Sequence, residues 1–270
     1  MKLRIMPARM GLTWMGHGLR ACIRQPLGFV GLWGLVVCSA IVGCEIFMQV
    51  GLPALGPLLI VSSMPVVWMG FMLASRRVLA DQRVTPGVLL EPVRGQAPEM
   101  KRTWAKLGGA YLLATLLVMV LADVLGPGGD TFAAALKSAK QASDVLSDPK
   151  VLASLLWQFA LTLPVSLLFW HTPALVYWAR LPLGKALFFS AVASWRNLGA
   201  FTLFGLGWAG VGLALVMVDS VLMALVSEPM LVNVLITMGA MWMASAFYAS
   251  LYFTVVDCFE PYEPFDATPQ

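Results

Sequence analysis

The chain has 270 residues, of which 59% are hydrophobic and only 12% are charged, and its formal net charge is +4. Its mean hydropathy of +0.81 lies far outside the range of ordinary soluble proteins. Because a water-soluble fold with this much apolar surface would aggregate, the composition excludes an ordinary soluble protein.

Six long apolar stretches run through the chain. Each one holds the roughly 20 residues that an α-helix needs to cross about 30 Å of hydrocarbon. Because lipid tails offer no hydrogen-bonding partners, the backbone of each stretch must satisfy itself, which favours helices. We therefore expect an all-α fold, a polytopic transmembrane helical bundle. The predicted spans are 27–50, 52–74, 104–126, 151–178, 198–226 and 231–256.

Basic residues are distributed unevenly around these spans. Fifteen of the 18 Lys and Arg residues precede the first span, separate spans two and three or four and five, or lie just inside the third span. The other three, Lys137, Lys140 and Lys150, lie in one loop. The positive-inside rule then predicts that both termini are cytoplasmic. The positive charge favours contact with anionic lipid headgroups, and nucleic-acid binding is the weaker interpretation.

The N-terminal segment 1–26 is basic and amphipathic. It contains no short apolar region that ends at a cleavage site, so we expect the chain to retain it. At helical period, Arg9, Arg20 and Arg24 lie beside an apolar arc, which favours an interfacial helix in the plane of the cytoplasmic headgroups; a solvated basic tail is the alternative. The residues of the arc are Leu12, Met15, Leu19, Cys22 and Ile23.

A second amphipathic segment follows the fourth span. Pro182 suits the first turn of a helix, and Lys185 and Arg196 lie between its two arcs. One arc is apolar (Leu187, Phe188, Ala191, Val192 and Trp195), and the opposite arc is small and polar (Ser190, Ser194 and Asn197). Since small polar side chains favour helix–helix contacts over lipid tails, we predict that the polar arc packs against protein.

The segment 75–103 is also basic, but its pattern is weaker. Thr85 and Pro86 can start a short helix that Pro92 would end. Each pair of spans is thus preceded by a basic segment, which predicts three hairpins, each with a cytoplasmic interfacial or linker segment. Seven basic residues of these segments are candidate contacts for lipid headgroups: Arg9, Arg20, Arg24, Arg76, Arg77, Lys185 and Arg196.

The spans form a single predicted domain, 27–256, which is followed by an acidic cytoplasmic tail, 257–270. One outer loop, 127–149, is long, and Asp130 or Thr131 can cap a short helix within it.

The fourth span is the most polar of the six. Pro164 and Pro173 predict a kink, because proline removes a backbone donor from a helix. A candidate polar path for a proton or solute would be formed by Gln158, Thr162, Ser166 and His171. The alternative is a neutral His171 that is hydrogen-bonded inside the protein, with the other polar residues joining neighbouring helices.

Signals for catalysis, metals and cofactors are absent from the sequence. The four cysteines form neither a Cys-x-x-Cys motif nor a cluster with the two histidines, and no hydrolase, zinc-protease or P-loop motif occurs, so we expect no enzyme. Glu45, Asp123 and Asp219 lie near outer span ends, where an acidic vestibule and ordinary interface residues are alternatives. Gly205 and Ala209 predict close helix packing in the fifth span.

Five blocks of sequence together resemble a family of uncharacterised multi-pass inner-membrane proteins of beta-proteobacteria. The blocks are MPARMGLTW at 6–14, RQPL at 24–27, SLLFWHTPALVYW at 166–178, KALFFSAVASWRNLGAF at 185–201 and SLYFTVVDCF at 250–259. The resemblance implies a protein of the bacterial inner (cytoplasmic) membrane, and it implies no activity or site residue.

Two hypotheses for function follow. In the first, the chain is a non-enzymatic integral membrane protein that acts through anionic lipid headgroups on the cytoplasmic side or through a membrane protein partner. In the second, it is a transporter or channel for a small solute or proton along the polar face of the fourth span.

Overall fold

The computed structural model describes residues 2–126, 149–226 and 228–259. The helix predicted near Asp130 and residues 260–270 of the predicted acidic tail lie outside the described residues. The α-helices described are α1 (Met10–Arg24), α2 (Pro26–Gln49), α3 (Leu55–Leu79), α4 (Pro98–Leu125), α5 (Pro149–Phe169), α6 (Thr172–Tyr177), α7 (Leu183–Arg196), α8 (Leu198–Leu225) and α9 (Pro229–Cys258), and Pro86–Leu89 is a short 3-10 helix.

The predicted all-α bundle with six spans is confirmed. The spans are α2, α3, α4, α5 together with α6, α8 and α9, each of which is long and apolar enough to cross a membrane. Several spans begin earlier than predicted because a proline occupies the first helical turn: α4 begins at Pro98 rather than at residue 104. The second span begins later than predicted, because Gly51 turns the chain with a φ of +79° before α3 starts.

The spans pair as three hairpins, as predicted: α2 with α3, α4 with α5, and α8 with α9. The linker segments interlace these hairpins. Helix α1 packs mainly on the third hairpin, the 3-10 helix packs on the first, and α7 packs mainly on the broken fourth span of the second hairpin. Each linker therefore precedes one hairpin in the chain but packs against a different one. Because α1 precedes the first hairpin and packs on the third, these contacts connect all three hairpins.

Helix α3 is the most enclosed span, since half of its apolar window is buried, whereas only 6–17% is buried in the other spans. It packs on α2, α4 and α9. Phe71 of α3 lies 5.5 Å from Tyr248 of α9 and 5.8 Å from Trp33 of α2, measured between ring centroids. Because lipid tails are as apolar as these side chains, close packing rather than water exclusion holds the rings together.

The fourth span is broken beside Pro173, as predicted, whereas Pro164 lies inside α5 without ending it. Helix α5 ends at Phe169 and α6 begins at Thr172, with Pro173 in its first turn. Trp170 and His171 lie in the break, and the rings of both pack against Phe201.

The packing motif predicted in the fifth span is wrong for the described chain. Gly205 and Ala209 are exposed, and a Cβ on Gly205 would meet nothing within 4 Å. The fifth span instead approaches the N-terminal region, where a Cβ on Gly207 would lie 2.9 Å from the Met15 sulfur. Helix α1 therefore packs against the fifth span at Gly207.

Candidate functional site

The linkers, the N-terminal segment and the end of α9 meet at one end of the bundle, which we call the basic end. The Arg4 amide donates to the Cys258 carbonyl at 2.9 Å, and the Arg180 guanidinium donates to Gln96 Oε1 at 2.8 Å. The side-chain Oε1 of Gln25 accepts a hydrogen bond from the Val84 amide at 2.9 Å. These contacts join the N-terminal segment, both long linkers and the end of α9, so the basic residues of all these segments share one surface.

Asn197, at the junction of α7 and α8, holds the extended N-terminal segment. Its Oδ1 accepts from the Met6 amide at 2.6 Å, while its Nδ2 donates to the carbonyls of Arg4 at 3.1 Å and Ala193 at 2.9 Å. Asn197 is buried. This confirms, for Asn197, that the polar arc of α7 faces protein.

Helix α1 has three faces rather than the two that were predicted. The third face is buried and carries Gly11, Trp14 and Gly18. A Cβ on Gly11 would lie 2.1 Å from the Ala200 carbonyl oxygen, and one on Gly18 would lie 2.7 Å from that of Ala246. These glycines bring the backbone of α1 against α8 and α9, an approach that the absence of a side chain permits.

The predicted apolar arc of α1 is divided between the bundle and the surroundings. Leu12 is 49% exposed and Ile23 is 63% exposed, and they lie next to the exposed side chains of Arg20 and Arg24. Met15 and Leu19 are half-buried against the core, and Cys22 is fully buried, so that burial raises the pKa of its thiol to about 11. An apolar face bordered by arginines suits the boundary between headgroups and acyl chains.

Helix α7 buries its polar side and exposes its apolar side. The Ser190 hydroxyl accepts from the His171 amide at 2.9 Å, and the Ser194 hydroxyl donates to the Leu167 carbonyl at 3.1 Å. Both serines therefore satisfy backbone groups that the break in the fourth span leaves without helical partners. On the outer side, Phe188 is 62% exposed and Trp195 is 71% exposed.

The seven candidate headgroup contacts are not equivalent. Arg9, Arg20, Arg24, Lys185 and Arg196 have exposed side chains. Arg77 is instead committed to the chain, since its guanidinium contacts Glu91 Oε2 at 2.5 Å and Thr85 Oγ1 at 3.1 Å. Arg76 is only half-exposed. Arg76 and Arg77 are therefore less available to a headgroup than the other five basic residues, whose side chains are exposed.

The four residues of the predicted polar path do not share one surface. Gln158 is exposed, Thr162 and Ser166 are half-buried, and His171 is fully buried. The His171 ring packs edge-on against Phe201 and Phe259, at centroid distances of 5.6 and 5.3 Å.

The ring nitrogens of His171 have few polar neighbours. Nδ1 lies 3.5 Å from the Ser194 hydroxyl, and Nε2 has no hydrogen-bond partner among the described residues, although the Thr254 backbone lies nearby. His171 therefore lies in a closed interface of aromatic rings and serine hydroxyls.

Ser166 lines a different feature, an intramembrane cavity of about 210 Å³ between α3, α4, α5 and α9. Its other lining residues are Trp68, Tyr111, Trp170, Phe247, Tyr248 and Leu251. This cavity was not predicted from the sequence. The pattern that could have indicated it is the presence of Trp and Tyr near the middle of spans, since these residues normally concentrate at membrane interfaces.

The end of the bundle opposite the basic end offers fewer candidate groups. The Glu45 carboxylate accepts a hydrogen bond from Gln49, one turn later in the same helix, at 2.7 Å. Within residues 2–126, 149–226 and 228–259, no group of three His, Cys, Asp or Glu side chains is placed to hold a metal ion.

Six apolar helical spans with a basic end define this chain as a polytopic integral membrane protein. It is 31% identical to a probable inner membrane protein of Burkholderia thailandensis over 267 residues, which are 98% of this chain and 96% of that protein. The chain belongs to the family of that inner membrane protein. No family model matches the chain, and no solved structure does.

Proposed function

We propose that this inner-membrane protein acts without catalysis, by binding anionic lipid headgroups at its basic end. The observation that carries the proposal is the orientation of α7, which packs its polar side against the protein and exposes its apolar side. This helix buries Ser190 and Ser194, exposes Phe188 and Trp195, and is flanked by basic side chains.

Such a helix is unfavourable in water and favourable at a membrane interface. Leaving one large aromatic side chain exposed rather than buried costs roughly 1.5–3 kcal/mol, and both Phe188 and Trp195 are mostly exposed. Inserted at the boundary between headgroups and acyl chains, the two rings leave water, and Trp in particular suits that depth. Lys185 and Arg196 then lie at headgroup level, where each cation adds about 1 kcal/mol of attraction to anionic lipid.

Helix α1 supports the same interpretation from the opposite part of the chain. Leu12 and Ile23 are exposed, and Arg20 and Arg24 are exposed beside them. Two helices with the same combination of exposed apolar and basic side chains at one end of the bundle form an extended surface for anionic headgroups.

We further propose that the basic end faces the cytoplasm, with both termini on that side, as the positive-inside rule predicts. The five blocks of sequence that include LLFWHTPALVYW at 167–178 are proposed as the signature of a beta-proteobacterial family. Support for this comes from the near-complete length of the match to the Burkholderia thailandensis protein.

The test is lipid selection by the intact protein. The chain is reconstituted in nanodiscs of equal phosphatidylglycerol and phosphatidylcholine, and native mass spectrometry counts the lipids that stay bound. We expect wild type to retain phosphatidylglycerol preferentially. Lys185→Gln combined with Arg196→Gln should lower that preference about fivefold for each charge removed.

Arg83→Gln combined with Arg94→Gln is the matched control. Both arginines are exposed at the basic end and their loss changes the net charge equally, but neither flanks α7. If this pair lowers the preference as much as the α7 pair, diffuse charge rather than the α7 surface selects lipid. Enrichment of a membrane protein partner without any lipid preference would favour the protein-interaction alternative.

The transporter hypothesis rests on His171. Substitution by Leu separates the two functions, because a transporter loses pH-dependent flux in proteoliposomes while a lipid-binding protein keeps its phosphatidylglycerol preference. The complete burial of His171 favours the second outcome.

A further inference from the structure

The aromatic cavity between α3, α4, α5 and α9 is separate from the basic surface, and its depth restricts what reaches it. Trp68 lies near the middle of the 25-residue α3, and Tyr111 lies near the middle of the 28-residue α4. All of the lining residues except Leu251 are half-buried, so the cavity is partly open. At this depth the surroundings are acyl chains, and a ligand must therefore be soluble in lipid.

The walls of the cavity favour a planar ligand. Trp68 and Tyr111 meet edge to face at 5.0 Å and 77°, and Phe247 and Tyr248 do the same at 5.3 Å and 83°. Crossed aromatic rings of this kind present both faces and edges to a guest, which suits stacking and edge contacts with another ring. A flexible acyl chain would use neither type of contact.

The polar groups of the cavity specify the ligand further. Ser166, Tyr111 and Tyr248 are lining residues with hydroxyls, and the Trp68 indole lies beside the Tyr248 hydroxyl. Among the described residues that line the cavity, no side chain is charged. Because a charge in the membrane requires a partner, the ligand is uncharged, and the available donors suit carbonyl oxygens.

The cavity is held open by fixed elements. The Trp170 indole donates to Thr254 Oγ1 at 3.1 Å, so its ring is anchored to α9 at the break in the fourth span. The volume of about 210 Å³ is below the range of about 300–1,000 Å³ that is typical for whole drug-sized ligands. One six-membered ring with small substituents fits, and any hydrophobic tail must leave through the open side.

We propose that this cavity binds the head ring of a quinone, an uncharged carbonyl-bearing ring that stacks on the aromatic wall while its tail lies in the bilayer. The hydroxyls of Ser166, Tyr111 and Tyr248 donate to the ring carbonyls. This role is binding only, and it is independent of lipid selection at the basic end.

The test uses the full chain in detergent with decyl-ubiquinone as the probe and dodecanol as the control ligand. We expect decyl-ubiquinone at a hundredfold excess over its Kd to raise the melting temperature by about 5 °C, because it binds only the folded protein. Dodecanol has a similar chain without a ring and should leave the melting temperature unchanged. An equal shift with both ligands, or no shift with the quinone, would overturn the proposal.

Two variants locate the site. Ser166→Phe fills the cavity and should abolish the quinone shift, whereas Leu163→Phe, at an exposed position of the same helix, should preserve it. Tyr111→Phe keeps the ring but removes one hydroxyl, and it should weaken binding about three- to tenfold. If Ser166→Phe folds and still binds decyl-ubiquinone, or if Ser166→Phe does not fold and Tyr111→Phe binds as tightly as wild type, the site is elsewhere.

Discussion

The indole Nε1 of Trp14 donates a 2.7 Å hydrogen bond to Oδ2 of Asp257, which joins the N-terminal helix to the last turn of the sixth span. Trp14 is fully buried, and its ring also packs 5.4 Å from Phe201 of the fifth span. One side chain thus connects the first linker to both helices of the third hairpin. This contact therefore ties the linker that precedes the first hairpin to the third hairpin.

Removing the Trp14–Asp257 hydrogen bond should destabilise the fold measurably. Trp14→Phe keeps most of the packing but removes the donor, and we expect a loss of about 1.5–3 kcal/mol because the acceptor is a carboxylate. Asp257→Asn should cost less. The free energies of unfolding are measured by denaturant titration in mixed micelles. A double-mutant cycle is the control: strictly additive losses would mean that the two residues do not act together.

Gly16 and Gly18 of α1 have different surroundings, so alanine substitutions at these two positions form a matched pair. A Cβ on Gly18 would lie 2.4 Å from the Ser250 Cβ, whereas a Cβ on Gly16 would meet nothing within 4 Å. Gly18→Ala should therefore lower the free energy of unfolding by about 1–3 kcal/mol through overpacking. Gly16→Ala should raise it by about 0.5–1 kcal/mol, because alanine favours the helix. Equal effects in a thermal-unfolding assay would show that α1 does not dock.

This pair also shows where the sequence was sufficient and where it was not. Span positions, hairpins and the break before Pro173 depend on local hydrophobicity and proline chemistry, so they could be predicted. The docked face of α1 depends on how closely the distant backbones of Ala200 and Ala246 approach it, and no local pattern carries that information. The aromatic cavity could not be predicted for the same reason, because residues of four helices form its wall.

The serines of α7 stabilise the broken fourth span. Ser190→Ala should cost about 1–3 kcal/mol, since it leaves the buried His171 amide without its hydroxyl partner. Ser220→Ala is the control, because that hydroxyl is exposed and bonds only to Val216 of its own helix. We expect the control to change the free energy of unfolding by less than about 0.5 kcal/mol. If both substitutions have the same small effect, the break does not depend on α7.

Cys22 should resist alkylation in the folded protein. The reactive species is the thiolate, and burial raises the pKa of this thiol to about 11, so little thiolate exists near neutral pH. We expect Cys22 to react about a hundredfold more slowly than a cysteine introduced by Arg20→Cys on the exposed side of the same helix.

The pH dependence of labelling has a definite direction. The Cys22 rate should keep rising above pH 9, because deprotonation of this thiol is centred at the higher pKa of about 11. The rate at the Arg20→Cys thiol should level off near pH 9, since an exposed cysteine has an ordinary pKa. Peptide mass spectrometry separates the two sites. Indistinguishable rates at pH 7.5 would contradict the buried position of Cys22.

The hydrogen bonds of the Asn197 side chain with the backbone of Arg4 and Met6, which we call the clamp, should limit the access of protease to the N-terminal segment. Asn197→Asp keeps an acceptor for the Met6 amide but replaces the donor to the Arg4 carbonyl with a second carboxylate oxygen, which repels it. Losing about 1.4 kcal/mol of local stability corresponds to tenfold more opening, so trypsin should cleave after Arg4 about tenfold faster. Cleavage after Arg83, in an exposed linker, serves as the internal reference. If both sites accelerate together, the substitution loosens the whole bundle rather than the clamp; if neither does, Asn197 does not control the segment.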